Sequence, residues 1–312
     1  ELGAYKVNTT VSIGIAVYPD AGQDSKNLIK TADIAMYRSK EHGRNRYEFY
    51  TAEESQKHQK RLTIETSLGA AIKNDQLTLY YQPVFRLSDR RLIGVEALVR
   101  WHHPEYGLVL PDDFIGIAEE IGFINELDKW VISTAAHQYQ QWASQGIVLE
   151  NLMINIASYE RDYMQRILTI MKKNNVPPSA VLFEITERNL MEEYAGFSEF
   201  LEDLQQHGFG MAIDDFGAGY SSLSRLRTMP VKALKIDQSF VQAIKVETSS
   251  ELIIQSIVAL AKSLQLNVIA EGIETKEQLT FLIENGCLSG QGFYLAKPMP
   301  AEQLVAFVKD AQ

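Results

Sequence analysis

The sequence predicts an α/β fold, a modified (β/α)8 barrel of the TIM type with one antiparallel strand, preceded by a partial α/β unit. Eight apolar, strand-like runs alternate with helical segments over about 235 residues from Leu79 onward. The turn at Ser88-Asp89 is too short for a crossover, which predicts that the first two of these strands are antiparallel. Residues 1–50 hold only a strand, a helix and a strand, too little for a core of their own. A doubly wound open sheet is the alternative that periodicity leaves open.

The N-terminal elements come first. Val11–Tyr18 and Arg46–Tyr50 are rich in β-branched and aromatic residues and predict two short strands. Apolar residues at helical spacing between them predict a helix that ends near Gly43. A polar helix follows, which we interpret as a linker. The predicted domains are an N-terminal fragment, a linker helix and a barrel, over residues 1–50, 51–75 and 76–312.

The barrel region supplies the remaining elements in alternating order. The predicted strands are Leu79–Val84, Leu92–Arg100, Leu152–Ile156, Val181–Thr186, Met211–Phe216, Ala233–Asp237, Asn267–Glu271 and Leu288–Phe293. The predicted helices are Asp112–Ile121, Glu126–Trp142, Tyr159–Lys173, Met191–His207, Tyr220–Arg227, Ser250–Leu264, Lys276–Glu284 and Ala301–Lys309.

Composition excludes several classes of protein. The 312 residues include 40 acidic and 30 basic side chains, a net charge of −10, which argues against a binder of duplex nucleic acid. An anionic substrate stays compatible with this charge if metal ions supply positive charge locally. The single cysteine, Cys287, excludes an internal disulfide and a cysteine-built zinc site. No apolar run approaches the roughly 20 residues of a membrane span. We expect a cytoplasmic location, with any membrane association coming only from segments upstream of residue 1.

Polar residues stand near the ends of most predicted strands. They are Glu96, Asn155, Glu184, Asp214, Asp215, Lys235 and Glu271. One acidic residue at a strand end is more often a helix cap or a turn former than a ligand. A barrel, however, brings the carboxyl ends of all its strands to one face, where barrel enzymes place their active sites. This series therefore predicts a functional site on that face.

Converging carboxylates repel one another unless cations or protons neutralise them, so the series predicts bound metal. The histidines lie away from the strand ends, and a set of oxygen donors suits Mg²⁺ or Mn²⁺. Adjacent Asp214 and Asp215 could serve two ions, an arrangement used in two-metal hydrolysis of phosphate esters. Lys235 could orient the attacking water or stabilise developing charge. A simple salt bridge to the aspartates is an equally good interpretation of Lys235.

A glycine-punctuated loop, Asp215–Leu223, follows the Asp-Asp strand. Its glycines allow close backbone approach, and we interpret it as a loop that positions the aspartates rather than as a phosphate cradle. Glu187, three residues after Glu184, could hold this loop by hydrogen bonds.

Ordered motifs in the barrel region resemble the EAL family, the cyclic-di-GMP phosphodiesterases. Gly94–Trp101 (GVEALVRW) resembles the motif that gives the family its name. The resemblance covers roughly residues 60–312 and continues through Tyr81-Gln82-Pro83, Asn155, FEITE at 183–187, DDFG at 214–217, KID at 235–237, AEGIE at 270–274 and QGF at 291–293. It implies a modified (β/α)8 barrel with one antiparallel strand.

The resemblance also implies an activity and residue roles. The implied reaction is hydrolysis of cyclic di-GMP to linear pGpG with two Mg²⁺ or Mn²⁺ ions, inhibited by Ca²⁺. The implied metal ligands are Glu96, Asn155, Glu184 and Asp214 for one ion, and Asp214, Asp215 and Glu271 for the other. The implied catalytic residues are Lys235, Glu96, Glu271, Glu187 and Asp215. The implied substrate contacts are Gln82, Leu98, Arg100, Asp128, Asp237 and Gln291. Ala157 and Ala218 stand where the family commonly has Ser and Thr.

Residues 1–50 resemble the C-terminal part of a GGDEF, or diguanylate cyclase, domain. The carriers are SIGIA at 12–16, ADIAMY at 32–37 and GRNRY at 43–47. The signature Gly-Gly-Asp/Glu-Glu-Phe is absent from the chain, which has no Gly-Gly pair. We therefore expect that this fragment cannot make cyclic di-GMP.

Two other functions remain open at this point. One is a catalytically weak receptor that binds cyclic di-GMP and signals by conformation, although such members generally lose metal ligands and none is missing here. The other is an interaction scaffold without ligand binding. The resemblance further implies a homodimer, and we hypothesise that the linker helix transmits an upstream signal.

Overall fold

The computed structural model describes residues 10–41, 43–157, 163–191, 196–217, 219, 226 and 229–310. The chain divides into two compact units, Glu1–Gly69 and Ala70–Gln312, and each is described by itself.

The N-terminal unit is a two-stranded sheet with helices. Its elements are β1 (Ile13–Ile15), α1 (Ser25–Glu41), β2 (Tyr47–Phe49) and α2 (Ala52–Ala71). The two strands are parallel, with Ile13 opposite Tyr47. A Cβ atom on Gly14 would lie 2.0 Å from the carbonyl oxygen of Ala32, so the absence of a side chain lets α1 pack directly on β1. The order of these elements is the predicted one, and the strands are shorter than the predicted runs.

The second unit contains the remaining strands and helices. The strands are β3 (Leu77–Arg86), β4 (Leu92–His103), β5 (Gly107–Val109), β6 (Asn151–Asn155), β7 (Val181–Thr186), β8 (Gly210–Phe216), β9 (Ala233–Ile236), β10 (Asn267–Ala270), β11 (Ser289–Gly290) and β12 (Met299–Pro300). The helices are α3 (Pro111–Glu120), α4 (Ile124–Ser144), α5 (Tyr163–Lys173), α6 (Glu187–Met191), α7 (Phe197–Gln206), α8 (Gln238–Gln242), α9 (Thr248–Ser263), α10 (Lys276–Glu284) and α11 (Ala301–Asp310). A 3-10 turn covers Pro178–Ala180.

Eight of these strands form a closed barrel in the order β3-β11-β10-β9-β8-β7-β6-β4, with β4 pairing back to β3. The barrel strands β4, β6, β7, β8, β9, β10 and β11 run parallel to one another, whereas β3 is antiparallel to both of its barrel neighbours. The short strands β5 and β12 pair at the edges of β4 and β3. Ring closure confirms the predicted barrel with one antiparallel strand and excludes the open sheet.

Several elements differ from the sequence predictions, and two of the differences lie beside a glycine. The predicted helix Met191–His207 corresponds to α7, which begins at Phe197 directly after Gly196, a glycine in a left-handed backbone conformation with φ of +88°. Residues 192–195 lie outside the described residues. The last strand is shorter than Leu288–Phe293, because Gly292 approaches the backbone of Ile273 so closely that a Cβ would lie 2.1 Å from its nitrogen. The predicted helix Tyr220–Arg227 and residues 159–162 lie almost entirely outside the described residues.

The barrel interior contains one apolar layer to which six strands each contribute a side chain. These buried residues are Val84, Met153, Leu182, Ala212, Ala233 and Ile269, with Ile93 packed against them. The small residues Ala212 and Ala233 lie on the neighbouring strands β8 and β9, and the larger side chains of the other strands fill the interior as in other eight-stranded barrels. This layer is the floor on which the candidate site lies.

Candidate active site

The polar residues singled out in the sequence form the next layer above this apolar floor. Side chains of a strand point to the same face at every second position, so a residue two positions beyond an inward-facing one also points inward. Five site residues follow floor residues at this spacing: Asn155, Glu184, Asp214, Lys235 and Glu271. Because β3 runs in the opposite direction, its corresponding residue is Gln82, two positions before Val84.

Glu96 differs from the sequence prediction in its position along the strand. It was predicted near a strand end, but β4 continues to His103, so Glu96 lies inside the strand. The reason is that β4 leaves the barrel part-way along its length: its parallel pairing with β6 covers Gly94–Ala97, and its later residues pair with β3 and β5. Glu96 therefore still lies at the end of the barrel portion.

Lys235 lies at the centre of the acidic residues and is fully buried. Its Nζ is 2.7 Å from Glu271 Oε1, 3.1 Å from Glu184 Oε2, 3.1 Å from Asp214 Oδ1 and 3.3 Å from Glu96 Oε2. One ammonium thus faces four carboxylates from four strands. A buried group of this kind requires mutual charge compensation, because desolvation of each charge is costly.

Two side-chain amides connect these carboxylates. Asn155 Nδ2 donates to Glu96 Oε1 at 2.9 Å and to Glu184 Oε2 at 3.2 Å. Gln291 Nε2 donates to Glu96 Oε2 at 2.5 Å and to Glu271 Oε1 at 3.1 Å. Asn155 was predicted as a metal ligand, which requires its oxygen rather than its nitrogen. A rotation of the amide about its last side-chain bond would exchange the two atoms.

The site shifts the pKa values of its ionisable groups. Burial raises the pKa of Glu271 to about 8 in spite of the attraction of Lys235. Burial and the neighbouring Glu96 raise the pKa of Glu184 well above its usual value. Burial also opposes the charge of Glu96, yet Lys235 and the donated hydrogen bonds hold its pKa below the usual value. Burial opposes the charge of Lys235 too, but the surrounding carboxylates raise its pKa. The carboxylates outnumber the ammonium, and the cluster favours additional positive charge.

Asp215 joins the site through an irregularity in β8. Neighbouring residues in a regular strand face opposite sides, but Asp215 has a φ of +53° and the β8–β9 register shifts between Ile213 and Phe216. Its backbone nitrogen donates to Asp214 Oδ1 at 3.0 Å. Partial burial and the carboxylates of Asp214 and Asp237 raise the pKa of Asp215 to about 6. Asp237 also accepts a hydrogen bond from the Ser239 nitrogen at 3.0 Å and caps α8.

The acidic side chains form two groups that could each hold a metal ion, and the groups share Asp214. Glu96, Glu184 and Asp214 form one group, and Asp214, Asp215 and Glu271 form the other, with the donor oxygens of each group within 4.8 Å of one another. Among the described residues, the buried oxygen Glu184 Oε1 has no hydrogen-bond partner. A buried oxygen of this kind fits a metal ligand, because a bound cation would satisfy it. Carboxylate oxygens are the donors that Mg²⁺ and Mn²⁺ prefer, so the donor set fits two such ions.

Glu187, the first residue of α6, contacts the glycine loop. Its Oε2 accepts hydrogen bonds from the backbone nitrogens of Gly217 at 2.8 Å and Gly219 at 3.3 Å. A Cβ on Gly219 would lie 3.0 Å from Glu187 Oε1, so a larger residue would press on the carboxylate. Glu187 is buried, and it connects the end of β7 with the loop that follows Asp215.

A cavity of about 880 Å³ opens beside the acidic groups. Asn155, Asp214 and Asp215 line it, together with two of the predicted substrate contacts, Leu98 and Asp128. Its size is that of a pocket for a drug-sized or nucleotide ligand. The sequence analysis missed several other lining residues, including Asp112, Thr186, Arg188 and Asn189. Thr186, Arg188 and Asn189 lie two, four and five residues after Glu184 in the chain, so the strand-end signal could have found them.

The remaining predicted substrate contacts lie around the site. Gln82 is buried and stands opposite Glu96 in the β3–β4 register. Gln291 is placed by its hydrogen bonds to Glu96 and Glu271. Arg100 donates to the Val99 carbonyl at 2.9 Å, and its guanidinium carbon lies 5.7 Å from the centre of the Tyr80 ring.

In the described part of the chain, no helix is long and apolar enough to cross a membrane.

Comparison with protein families identifies two matches along the chain. The sequence model of the EAL domain matches residues 65–298. The sequence model of the diguanylate cyclase, GGDEF domain, matches residues 1–46.

Curated proteins similar to this chain carry names from the same signalling chemistry. The chain is 38% identical over 311 residues to the bifunctional diguanylate cyclase/cyclic di-GMP phosphodiesterase MucR of Pseudomonas aeruginosa, covering 99% of this chain and 45% of MucR. It is 40% identical over 304 residues to the cyclic di-GMP phosphodiesterase PdeR of Escherichia coli (strain K12), covering 96% of this chain and 46% of PdeR. The chain therefore spans less than half the length of these two relatives.

Solved structures with the same fold include proteins bound to a cyclic dinucleotide. The PaMucR phosphodiesterase in complex with c-di-GMP superposes with a TM-score of 0.75 at 37% identity, over 78% of this chain and 99% of that one. The EAL enzyme Bd1971, in its form bound to cAMP and cyclic di-GMP, superposes with a TM-score of 0.76 at 28% identity, over 92% of this chain and 76% of that one.

Proposed function

The chain belongs to the EAL domain family, and we propose that it is a metal-dependent phosphodiesterase that hydrolyses cyclic di-GMP to linear pGpG. The observation that carries this proposal is the pair of carboxylate groups sharing Asp214 beside a cavity of about 880 Å³. MucR and PdeR match nearly the whole chain. Both names include the words cyclic di-GMP phosphodiesterase, which supports cyclic di-GMP as the substrate and cleavage of its phosphodiester as the reaction.

In the proposed site, one Mg²⁺ or Mn²⁺ would be held by Glu96, Asn155, Glu184 and Asp214, and a second would be held by Asp214, Asp215 and Glu271. When bound, two such ions lower the pKa of water and neutralise charge on the phosphoryl oxygens. Bound cations also explain how this set of carboxylates can all be ionised around Lys235, since they add the positive charge that one ammonium does not supply.

The side chains have distinct roles in the proposed reaction. Water adds to one phosphorus atom and the bond from that phosphorus to the 3′ oxygen breaks. One proton of the water ends on the 3′ oxygen as a hydroxyl and the other is released to solvent, which opens the ring and leaves a 5′-phosphate. Lys235 donates a hydrogen bond to the attacking water and orients it. Gln291 holds Glu96 and Glu271 by hydrogen bonds, and Glu187 holds the loop after Asp215.

Substrate recognition is proposed for the residues around the cavity. Arg100 carries a fixed positive charge that can pair with a phosphate, and Leu98 offers apolar surface to a base. Gln82, Asp237 and Gln291 supply polar contacts. A homodimer, a cytoplasmic location and the linker role of the helix after residue 50 stay predictions.

An activity assay with metal titration tests the proposal. The purified chain is incubated with cyclic di-GMP and Mg²⁺ or Mn²⁺, and the nucleotides are separated by chromatography. We expect pGpG to form, EDTA to stop its formation, and Glu96→Ala to abolish it because one metal group loses a ligand.

The matched control for the assay is Glu284→Gln, which removes an exposed carboxylate at the end of α10 and should hydrolyse like the parent chain. Binding of cyclic di-GMP that persists in EDTA, without turnover under any metal condition, would show a receptor instead of an enzyme.

A further inference from the structure

A buried aspartate behind the site, Asp128 on α4, connects three elements. Its side chain is nearly inaccessible, with 5% of the residue surface exposed. Its Oδ2 accepts hydrogen bonds from the backbone nitrogen of Ala157 at 3.0 Å and from the Tyr163 hydroxyl at 3.1 Å. Ala157 follows β6 and Tyr163 begins α5, so one carboxylate oxygen ties α4 to residues on both sides of the β6–α5 connection.

The end of β6 is thereby held from two directions. On one side, the Ile156 nitrogen donates to the Glu184 carbonyl of β7 at 3.0 Å. On the other side, the Ala157 nitrogen donates to Asp128. Asn155, which donates to Glu96 and Glu184, is only two residues before Ala157, and each residue of an extended chain spans about 3.3–3.6 Å. A shift of Ala157 therefore moves the backbone that carries the Asn155 amide.

We propose that Asp128 is a positioning residue: it fixes Ala157 and thereby holds Asn155 where its side chain meets Glu96 and Glu184. This role is distinct from the substrate contact that the family resemblance implies for Asp128, which also lines the cavity. The expected effect on metal binding rests on the proposed function, in which Asn155 helps to hold a metal ion. The positioning of Ala157 rests on the hydrogen bonds alone.

The expected loss of metal affinity in Asp128 variants is estimated from residues that orient metal ligands without touching the metal. Loss of such residues typically lowers metal affinity or activity by about 10- to 100-fold. Asp128 acts on Asn155 through two peptide units rather than by a direct hydrogen bond. We therefore expect an effect near the lower end of this range.

The first measurement is Mn²⁺ affinity of the full chain by calorimetry in the absence of nucleotide. We expect Asp128→Ala to weaken Mn²⁺ binding about 10-fold. Tyr163→Phe removes one donor and leaves the carboxylate in place, so it should weaken binding less and in the same direction. Asp128→Asn keeps an oxygen acceptor of the same shape and should restore most of the affinity lost in Asp128→Ala.

Glu126→Gln is the matched control for charge. Glu126 is an exposed acid in the first turn of α4, the same helix as Asp128. If Asp128 acts by position and not by its charge, Glu126→Gln should leave Mn²⁺ affinity within about twofold of the parent while Asp128→Ala does not.

The second measurement is amide hydrogen exchange at Ile156 and Ala157, which needs neither metal nor hydrolysis. We expect faster exchange at both amides in Asp128→Ala, because Ala157 loses its acceptor and the strand end opens more often. This readout separates the two hypotheses: a parent chain that binds no Mn²⁺ refutes the metal site of the proposed function, and the exchange rates still decide the role of Asp128.

Two results would overturn the positioning role. One is an Asp128→Ala variant whose exchange at Ile156 and Ala157 equals that of the parent. The other is unchanged Mn²⁺ affinity together with a loss of preference for cyclic di-GMP over cyclic di-AMP, which is the signature of a direct guanine contact. If Asp128→Ala does not fold, Tyr163→Phe takes its place, and unchanged exchange at both amides in that variant would count against the proposal equally.

Discussion

At the scale of single residues, the site is determined by charge compensation around Lys235. Four carboxylates lie within 3.3 Å of its ammonium, and Asn155 and Gln291 donate further hydrogen bonds to them. The sequence left two interpretations of Lys235, a salt bridge or a group that orients water. The structure contains the ion pairs of Lys235 with four carboxylates. The role of orienting water is compatible with them, because bound cations would compete with the ammonium for the same oxygens.

Lys235→Met should destabilise the metal-free chain, because the substitution leaves buried carboxylates without their cation. Removing one partner of a buried ion pair costs about 3–5 kcal/mol of unfolding free energy. We expect a loss of this size by urea unfolding in EDTA, and a smaller loss in Mn²⁺, where metal replaces the missing charge.

Lys276→Met, which removes an exposed lysine from the first turn of α10, is the control and should unfold like the parent. A Lys235→Met chain as stable as the parent in EDTA would mean that the carboxylates are compensated in another way.

At the scale of elements, the site depends on how strand ends and loops are connected. Glu187 begins α6 directly after β7 and accepts hydrogen bonds from Gly217 and Gly219, which follow β8. The sequence spacing predicted such a contact but contained no information about its partners. Gly217 has a φ of +101°, which residues other than glycine rarely adopt. The hydrogen bond from its nitrogen to Glu187 therefore depends on a backbone conformation that glycine allows.

Glu187→Gln should reduce hydrolysis while the barrel stays folded. The neutral side chain is a weaker acceptor than the carboxylate, so the loop after Asp215 is held less firmly. We expect kcat for cyclic di-GMP to fall by about 10-fold or more, measured by steady-state kinetics. Glu284→Gln serves again as the control. A normal kcat in Glu187→Gln would argue that the loop does not need this contact.

The N-terminus of α10 offers a separate test of an element. Thr275 accepts a hydrogen bond from the Gln278 nitrogen at 3.2 Å, and Gln278 Oε1 accepts one from the Thr275 nitrogen at 2.9 Å, which forms a capping box. Thr275→Ala should lower the free energy of unfolding by about 0.5–2 kcal/mol. Thr275→Ser keeps the hydroxyl and should lose little. Equal stability of the two variants would show that the cap contributes nothing.

At the scale of the whole molecule, the chain consists of two units with different sheets. The barrel unit closes its sheet and builds its own apolar layer, whereas the described residues of the first unit form a two-stranded sheet. Sheets of this size are marginal without further packing. The EAL match begins at residue 65, and the PaMucR structure superposes over 78% of this chain. The proposed activity therefore belongs to the barrel unit.

A chain that begins at residue 60 should keep the folded barrel, because the closed sheet and its helices lie beyond that point. If the linker helix transmits a signal, removal of residues 1–59 should also change the hydrolysis rate or the dimer fraction. Circular dichroism, the pGpG assay and analytical ultracentrifugation measure these three properties. A shortened chain identical to the parent in rate and dimer fraction would contradict the linker hypothesis.

Much of the fold could be predicted from local sequence because it depends on local periodicity. Strand β7 and helix α10 have the predicted bounds, since their apolar patterns are regular and their ends are marked by polar residues. Gly196 shows the limit: its left-handed conformation directly precedes α7, which begins six residues after the predicted start at Met191. Backbone conformation at such a position depends on neighbours that are distant in the chain.

The sequence by itself determined which residues could form the site, because alternation along each strand places every second residue on one face. Only the tertiary structure decided their partners. Ring closure and strand stagger bring Glu96 and Glu271 to Lys235 across 139 and 36 positions of sequence. The register shift in β8 places Asp215 beside Asp214, and helix packing places Asp128 against Ala157. These contacts depend on how complete elements pack together, a property that no local pattern of residues contains.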